Sequence, residues 1–192
     1  MQISLRVEDM IESQKNGLQK MTFSVLLVIL GVLIYALSAR VYFYLPFTPV
    51  PITGQTLVVF LLSPLYGRRL ATVSIMSYIG LGIIGLPMFV GISGIHILFS
   101  PTFGYLIGMC VAACFMGEIS SKGLLKDNFY SFNVLLCSTA VIYICGILWL
   151  GFFVGYSLQL ILIGVVPFIL GDSIKIFLAY GLLTPLKKVM YK

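Results

Sequence analysis

Long apolar stretches, separated by short polar, proline-rich or glycine-rich segments, make up most of the chain. At about 1.5 Å per residue, roughly 20 apolar residues in a helix cross a hydrocarbon core of about 30 Å. The pattern predicts six membrane spans, at residues 21–45, 52–65, 70–84, 101–117, 132–153 and 167–186. Gly164, Pro167 and Gly171 interrupt the last apolar stretch, so residues from Tyr156 onward are predicted to form a short interfacial or re-entrant piece before the final span.

The first twenty residues differ from the apolar chain that follows them. Residues 1–20 are polar and mixed in charge, and we expect a cytoplasmic N-terminal arm there, followed by a six-helix transmembrane domain over residues 21–192. A signal peptide is the alternative for the first apolar run, because Ala36 to Ala39 resembles a cleavage site. The run continues past that point to Leu45, which favours a membrane span.

Charge supports a membrane location. The chain is 60% hydrophobic and 9% charged, whereas a soluble domain has about 25% charged residues. With six spans, the basic residues of the arm and loops all fall on one side: Arg6, Lys15, Lys20, Arg68, Arg69, Lys122, Lys126, Lys187, Lys188 and Lys192. This positive-inside pattern predicts that both termini are cytoplasmic. It also explains the net charge of +6 without a nucleic-acid partner.

The sequence shows no catalytic or cofactor-binding motif. It has no GxxxxGK[ST] phosphate loop, no HExxH, and no serine or cysteine with a plausible histidine base. A membrane-embedded transferase would need an acidic cluster or a nucleophile with its base, and only one carboxylate lies within the predicted spans. We therefore expect no enzymatic activity, no cofactor and no metal.

Three charged residues fall within the predicted spans: Arg40, Asp172 and Lys175. Such charges cost about 2.5–3.5 kcal/mol each on insertion scales, and they usually mark a polar path or a ligand site. Asp172 and Lys175 are spaced i, i+3, so they share a helix face. They form either a self-neutralising pair that helps the helix insert or a pair that faces a cavity. Arg40 either extends outward to the interface or contacts a ligand.

A stripe of small residues marks the first span. Ser24, Gly31 and Ser38 recur every seven residues, a spacing that drifts by only about 20° per heptad on a helix. Small residues let helices approach closely in lipid. The stripe is predicted either to dock a partner protein or to pack inside this one.

Several segments together resemble the BioY family, the biotin-specific substrate-binding (S) components of energy-coupling-factor (ECF) transporters. They are residues 46–56, 80–89, 100–108, 143–150 and 167–175, in the order in which the family has them. The first of these, with its three prolines before Ile52-Thr53-Gly54-Gln55-Thr56, and the last, which contains Gly171-Asp172-Ser173-Ile174-Lys175, are the specific ones.

The resemblance implies an S-component fold in the bacterial cell (inner) membrane, with a pocket under the loops that join spans 1–2 and 3–4. It implies biotin as ligand, and as partners an ECF transmembrane coupling protein and a pair of ATPases, besides membrane lipid. Asp172 and Lys175 carry over as ligand contacts. The other candidate substrate-binding residues are Tyr143, Trp149, Tyr105, Ser93 and Arg40.

Several points stay open on the sequence alone. A different vitamin is the nearest competitor to biotin, and a membrane-embedded transferase is a more distant one. Asp172 is expected to accept a ureido N–H, since a carboxylate is only an acceptor. Lys175 is expected to donate to the ureido carbonyl or to the carboxylate tail, and Arg40 competes for the tail. Trp149 either lines the pocket or belongs to the core.

Overall fold

The computed structural model describes residues 7, 11, 14, 16–91 and 93–190. Its helices are α1 (Gly17–Ala39), α2 (Gln55–Ile84), α3 (Phe103–Ser121), α4 (Asn128–Val154), α5 (Leu158–Gly164) and α6 (Val166–Met190). Two strands, β1 (Tyr42–Phe43) and β2 (Ile52–Thr53), and two 3₁₀ helices, Gly94–Phe99 and Leu124–Lys126, lie between them. The predicted arm falls largely outside the described residues, as do Arg6, Lys15 and Lys192.

Five helical stretches of the described chain are long and apolar enough to cross a membrane: α1, α2, α3, α4 and the stretch 158–187. The helix α2 provides two crossings, because it reverses at Gly67, whose φ of 72° and ψ of −179° are not helical. Gln55 and Tyr78, on either side of this turn, are joined by a side-chain hydrogen bond of 2.5 Å, although a straight helix would separate them by about 34 Å. The described residues therefore form six crossings, as predicted, and residues 55–66 (α2a) and 68–84 (α2b) are the second and third.

The prediction for the end of the first span was wrong. The helix stops at Ala39, and the apolar residues beyond it form an antiparallel hairpin in which Tyr42 pairs with Thr53 and Phe43 with Ile52. The second span likewise begins at Gln55 instead of Ile52. The strand β1 consists of two aromatic residues, Tyr42 and Phe43, and aromatic residues favour the membrane interface. The apolar run therefore continues into an interfacial hairpin after the helix has ended.

The remaining helix boundaries differ from the predicted ones by about one turn or less. The helix α3 begins two residues after Pro101 and continues to Ser121, and α4 begins at Asn128, where Asp127 accepts a hydrogen bond from the Phe129 amide as an N-terminal cap. The predicted short piece before the last span is α5, and the predicted loop 85–100 contains the first 3₁₀ helix.

Gly31, the middle residue of the small-residue stripe of α1, packs inside the protein. A Cβ atom at Gly31 would lie 2.8 Å from Ser74 Oγ and 3.2 Å from the Tyr66 ring. Tyr35, one turn further along, is fully buried and its ring packs on that of Tyr78. Of the two roles left open by the sequence, the structure therefore supports internal packing of α1 against α2a and α2b.

Candidate functional site

A cavity lies between α2a, α3, α4 and α6, and it is also lined by the loops that join α1 to α2a and α2b to α3. Its apolar lining consists of Val50, Pro51, Phe89, Val90, Ile97, Leu106, Met109, Ile142 and Phe168, and its polar lining consists of Thr53, Gln55, Thr56, Thr102, Tyr105, Tyr143, Asp172 and Lys175. An apolar cavity with a few convergent polar groups is the usual form of a small-molecule site.

The second crossing is short, and the residues at its start, Gln55 and Thr56, line the cavity. Residues 55–66 span only about 18 Å as a helix, whereas the hydrocarbon core is about 30 Å thick. Residues from the two adjoining loops, Val50 and Ile97 among them, also line the cavity.

Asp172 and Lys175 form an ion pair at the cavity wall. Lys175 Nζ donates to Asp172 Oδ1 at 2.8 Å, and the two side chains are 14% and 5% exposed. The i, i+3 spacing predicted that they share a face, and the structure confirms this. Because the charges cancel, this wall presents hydrogen-bonding atoms without a net charge.

Two further side chains hold the Asp172 carboxylate. The Thr56 hydroxyl donates to Oδ1 at 3.0 Å and accepts from Lys175 Nζ at 3.0 Å. The Tyr143 hydroxyl donates to Oδ2 at 2.7 Å. A carboxylate offers about four lone-pair directions and an ammonium offers three protons, so one lone pair of Oδ2 and one N–H of Lys175 remain for a ligand.

Tyr105 lines the cavity from α3 and also supports the break between α5 and α6. Its hydroxyl donates to the Gly164 carbonyl at 2.6 Å, and its ring packs beside Phe168. The break, at Val165, has non-helical backbone angles (φ −127°, ψ −55°). Because of this break, α6 starts as a separate helix, and Asp172 lines the cavity one to two turns into it.

Gln55 is a second polar group on the α2a side. It is 6% exposed, accepts from Thr53 Oγ1 at 2.9 Å and donates to the Tyr78 hydroxyl. Thr56 and Gln55 were not among the residues predicted from the sequence. Uncharged polar residues in a span are common, so they carried no signal beyond their position in the proline-rich segment.

The structure brings four of the seven predicted residues together: Asp172, Lys175, Tyr143 and Tyr105. Trp149 is not in the lining; its indole N–H donates to the Ser100 carbonyl at 2.9 Å and its ring packs on Phe103. Ser93 lies half-buried before the first 3₁₀ helix, outside the lining. For these two residues a ligand contact stays a prediction.

Arg40 also lies outside the lining. It is exposed at the end of α1, and its guanidinium donates to the Pro87 carbonyl at 2.5 Å. Tyr78 donates to the carbonyl of the next residue, Met88, at 3.2 Å. Arg40 and Tyr78 are therefore anchored side by side on the segment that leads to Phe89 in the cavity wall. Ligand contact by Arg40 stays a prediction as well.

The chain is similar in sequence to two known biotin transporters. A biotin transporter, BioY2, from Lactococcus lactis subsp. cremoris is 36% identical over 162 residues, covering 81% of this chain and 85% of the relative. A biotin transporter BioY from Thermotoga maritima is 33% identical over 147 residues, covering 76% of this chain and 85% of the relative.

A solved structure shares the fold. The crystal structure at 2.1 Å of the S-component for biotin from an ECF-type ABC transporter superposes with a TM-score of 0.79 at 25% sequence identity. The match covers 91% of this chain and 95% of that one. The sequence profile of the BioY family matches residues 10–192, and this chain therefore belongs to the BioY family.

Proposed function

We propose that the chain binds biotin in the outer cavity and serves as the substrate-specific subunit of an ECF-type vitamin transporter. The observation that carries the proposal is the neutral Asp172–Lys175 pair, which keeps one acceptor and one donor free at the wall of an apolar cavity. Relatives from two organisms are biotin transporters, and the S-component with the same fold is one for biotin.

The free hydrogen-bonding groups suit the ureido edge of biotin. Asp172 Oδ2 accepts one ureido N–H, and the remaining N–H of Lys175 donates to the ureido carbonyl. Because Lys175 is neutralised by Asp172 at 2.8 Å, it attracts the carboxylate tail less than an unpaired cation would. The bicyclic ring packs against the apolar wall, with Tyr143 and Tyr105 at its edge.

We assign the carboxylate tail to Arg40, whose guanidinium donates to the Pro87 carbonyl, two residues before Phe89 in the cavity wall. Among the described residues on the outer side, no other lysine or arginine lies in the loops. Among the described residues, the Arg40 side chain forms one hydrogen bond, to the Pro87 carbonyl, while a guanidinium has five N–H donors. Donors therefore remain for the carboxylate.

Equilibrium binding of labelled biotin to the full chain, purified in detergent from cells grown without biotin, tests the proposal. Saturable binding that unlabelled biotin displaces, and that thiamine or riboflavin in large excess does not, supports it. Displacement by another vitamin in preference to biotin would assign the site to that vitamin. No saturable binding of any of them would refute the proposal.

Variants of the ion pair locate the site. Asp172→Asn and Lys175→Gln each remove a charge-assisted hydrogen bond, so we expect affinity to fall by about 10- to 100-fold. Asp127→Asn is a matched control, because asparagine also caps a helix, and Lys122→Gln removes only an exposed pair with Glu118. Wild-type affinity in both pocket variants would leave the pair as a device for membrane insertion.

We also propose that uptake depends on an ECF coupling protein and an ATPase pair, since the chain itself has no phosphate loop. Proteoliposomes that contain this chain together with the coupling protein and ATPases should accumulate biotin only when ATP is supplied on the ATPase side. Equal accumulation by liposomes containing the chain alone would show that the other subunits are dispensable.

A further inference from the structure

We infer that Thr56 is a positioning residue, whose hydroxyl fixes the Asp172–Lys175 pair in the orientation that the ligand meets. The inference rests on the proposed function, because the ligand is the one proposed above. It assigns a role to a residue of α2a that does not have to contact the ligand itself.

The hydroxyl of Thr56 is inserted into the ion pair. It donates its one proton to Asp172 Oδ1 at 3.0 Å and accepts from Lys175 Nζ at 3.0 Å, while Lys175 donates directly to the same Oδ1 at 2.8 Å. The three polar groups thus close a ring of hydrogen bonds. Thr56 provides one donor and one acceptor, the combination that a hydroxyl supplies and a methyl group does not.

This ring determines which atoms are left for the ligand. Two of its bonds end on Oδ1, and Tyr143 occupies one position on Oδ2, so the carboxylate cannot rotate without breaking at least two contacts. Lysine has a long, flexible stem that loses rotamer freedom when it is fixed. With Thr56 removed, Lys175 is free to swing toward Oδ2, the oxygen whose open lone pair the ligand needs.

A purely structural role is the competing explanation, because Thr56 also joins α2a to α6. Both of its hydrogen bonds connect segments more than a hundred residues apart in the chain, with separations of 116 and 119. A structural role predicts lower stability and a ligand effect that is independent of Lys175. A positioning role predicts that the ligand effect exists only while Lys175 is present.

A double-mutant cycle separates the two roles. Biotin affinity and thermal unfolding are measured on the full chain for Thr56→Val, Thr56→Ser, Lys175→Gln and the double variant Thr56→Val/Lys175→Gln, with titration extended to millimolar biotin. Thr184→Val is the matched control, because that hydroxyl donates to the Tyr180 carbonyl of its own helix and lies outside the cavity lining.

We expect Thr56→Val to weaken biotin by about 10- to 30-fold and Thr56→Ser to stay within about threefold of wild type. In the Lys175→Gln background, Thr56→Val should add less than about threefold. Equal effects of Thr56→Val in both backgrounds, or failure of serine to restore affinity, would overturn the inference. Absence of biotin binding by the wild type would refute the proposed function, whereas a binding wild type with an additive cycle would refute only the role of Thr56.

Discussion

The Gln55 amide on α2a donates to the Tyr78 hydroxyl on α2b at 2.5 Å. The same hydroxyl donates to the Met88 carbonyl at 3.2 Å, and the Tyr78 ring packs edge-on against Phe89, with 5.3 Å between ring centroids. Gln55 and Phe89 both line the cavity. A chain of contacts therefore links a polar group of the cavity wall to the outer segment that covers the cavity.

Replacing Tyr78 by phenylalanine should loosen that segment. The change leaves the Met88 carbonyl and one N–H of Gln55 without their partner, which costs about 1–3 kcal/mol for buried groups. We expect faster release of bound biotin, measured by exchange of labelled for unlabelled ligand, together with a lower unfolding temperature.

Tyr66→Phe is the control for this prediction. Its hydroxyl donates to the Leu27 carbonyl at 3.0 Å, away from the cavity. It should lower stability without changing the rate of biotin release. The same acceleration in both variants would show that release follows global stability and not the Tyr78 contacts.

Gly31→Leu should prevent correct folding. A Cβ at Gly31 already meets Ser74 Oγ at 2.8 Å and Cβ at 2.9 Å, and the Tyr66 ring at 3.2 Å, and a leucine adds three further carbons. Overpacking of this kind costs about 1–3 kcal/mol or more. We expect less monodisperse protein in size-exclusion chromatography and loss of biotin binding, whereas Ile29→Leu, on the exposed face of α1, should behave as wild type.

The alternative role of the small-residue stripe gives a different result. If Gly31→Leu folds and binds biotin normally but no longer assembles with the coupling protein, the stripe is a docking surface and the packing explanation fails.

The topology prediction concerns the two sides of the membrane. Arg69 lies beside the α2 turn and Ser93 lies in the outer loop, so single cysteines at these positions should face opposite sides. In a background without native cysteines, an impermeant thiol reagent added to intact cells should label Ser93→Cys only. Labelling of both positions on intact cells, with permeability controls passed, would contradict the orientation with cytoplasmic termini.

Hydrophobic pattern and charge were enough to predict most of the fold. The six crossings followed from apolar runs and from the alternation of basic loops, because lipid allows few other arrangements. The end of the first span could not be found this way. Val41 to Leu45 is apolar whether it continues the helix or forms a strand at the interface, and hydropathy does not distinguish the two.

Apart from Tyr105 and Tyr143, which were predicted along with the family resemblance, the candidate site was predictable only where it carries charge. Asp172 and Lys175 stood out because a charge in a span is costly, and their i, i+3 spacing placed them together. Thr56 lies 116 residues before its partner Asp172, and Gln55 meets Tyr78 because the chain reverses at Gly67. That relation is tertiary, so no local pattern in the sequence reveals it.

The last prediction assigns the carboxylate tail of biotin to Arg40. The guanidinium donates to the Pro87 carbonyl, two residues before Phe89 in the cavity wall, and Lys175 is already neutralised by Asp172. Arg40→Gln should therefore weaken biotin by about three- to tenfold, a modest effect because the site is exposed and screened by salt. It should leave the affinity for the neutral amide of biotin nearly unchanged.

Lys175→Gln is the comparison variant for Arg40→Gln. Lys175 is assigned to the ureido carbonyl, which biotin and its amide share. The variant should weaken biotin and its amide equally. Arg40→Lys, which keeps the charge, should lie between wild type and Arg40→Gln, and higher salt should reduce the preference of the wild type for biotin over the amide. If Arg40→Gln weakens both ligands to the same extent, Arg40 acts through its bond to Pro87 on the covering segment, and the tail has another partner.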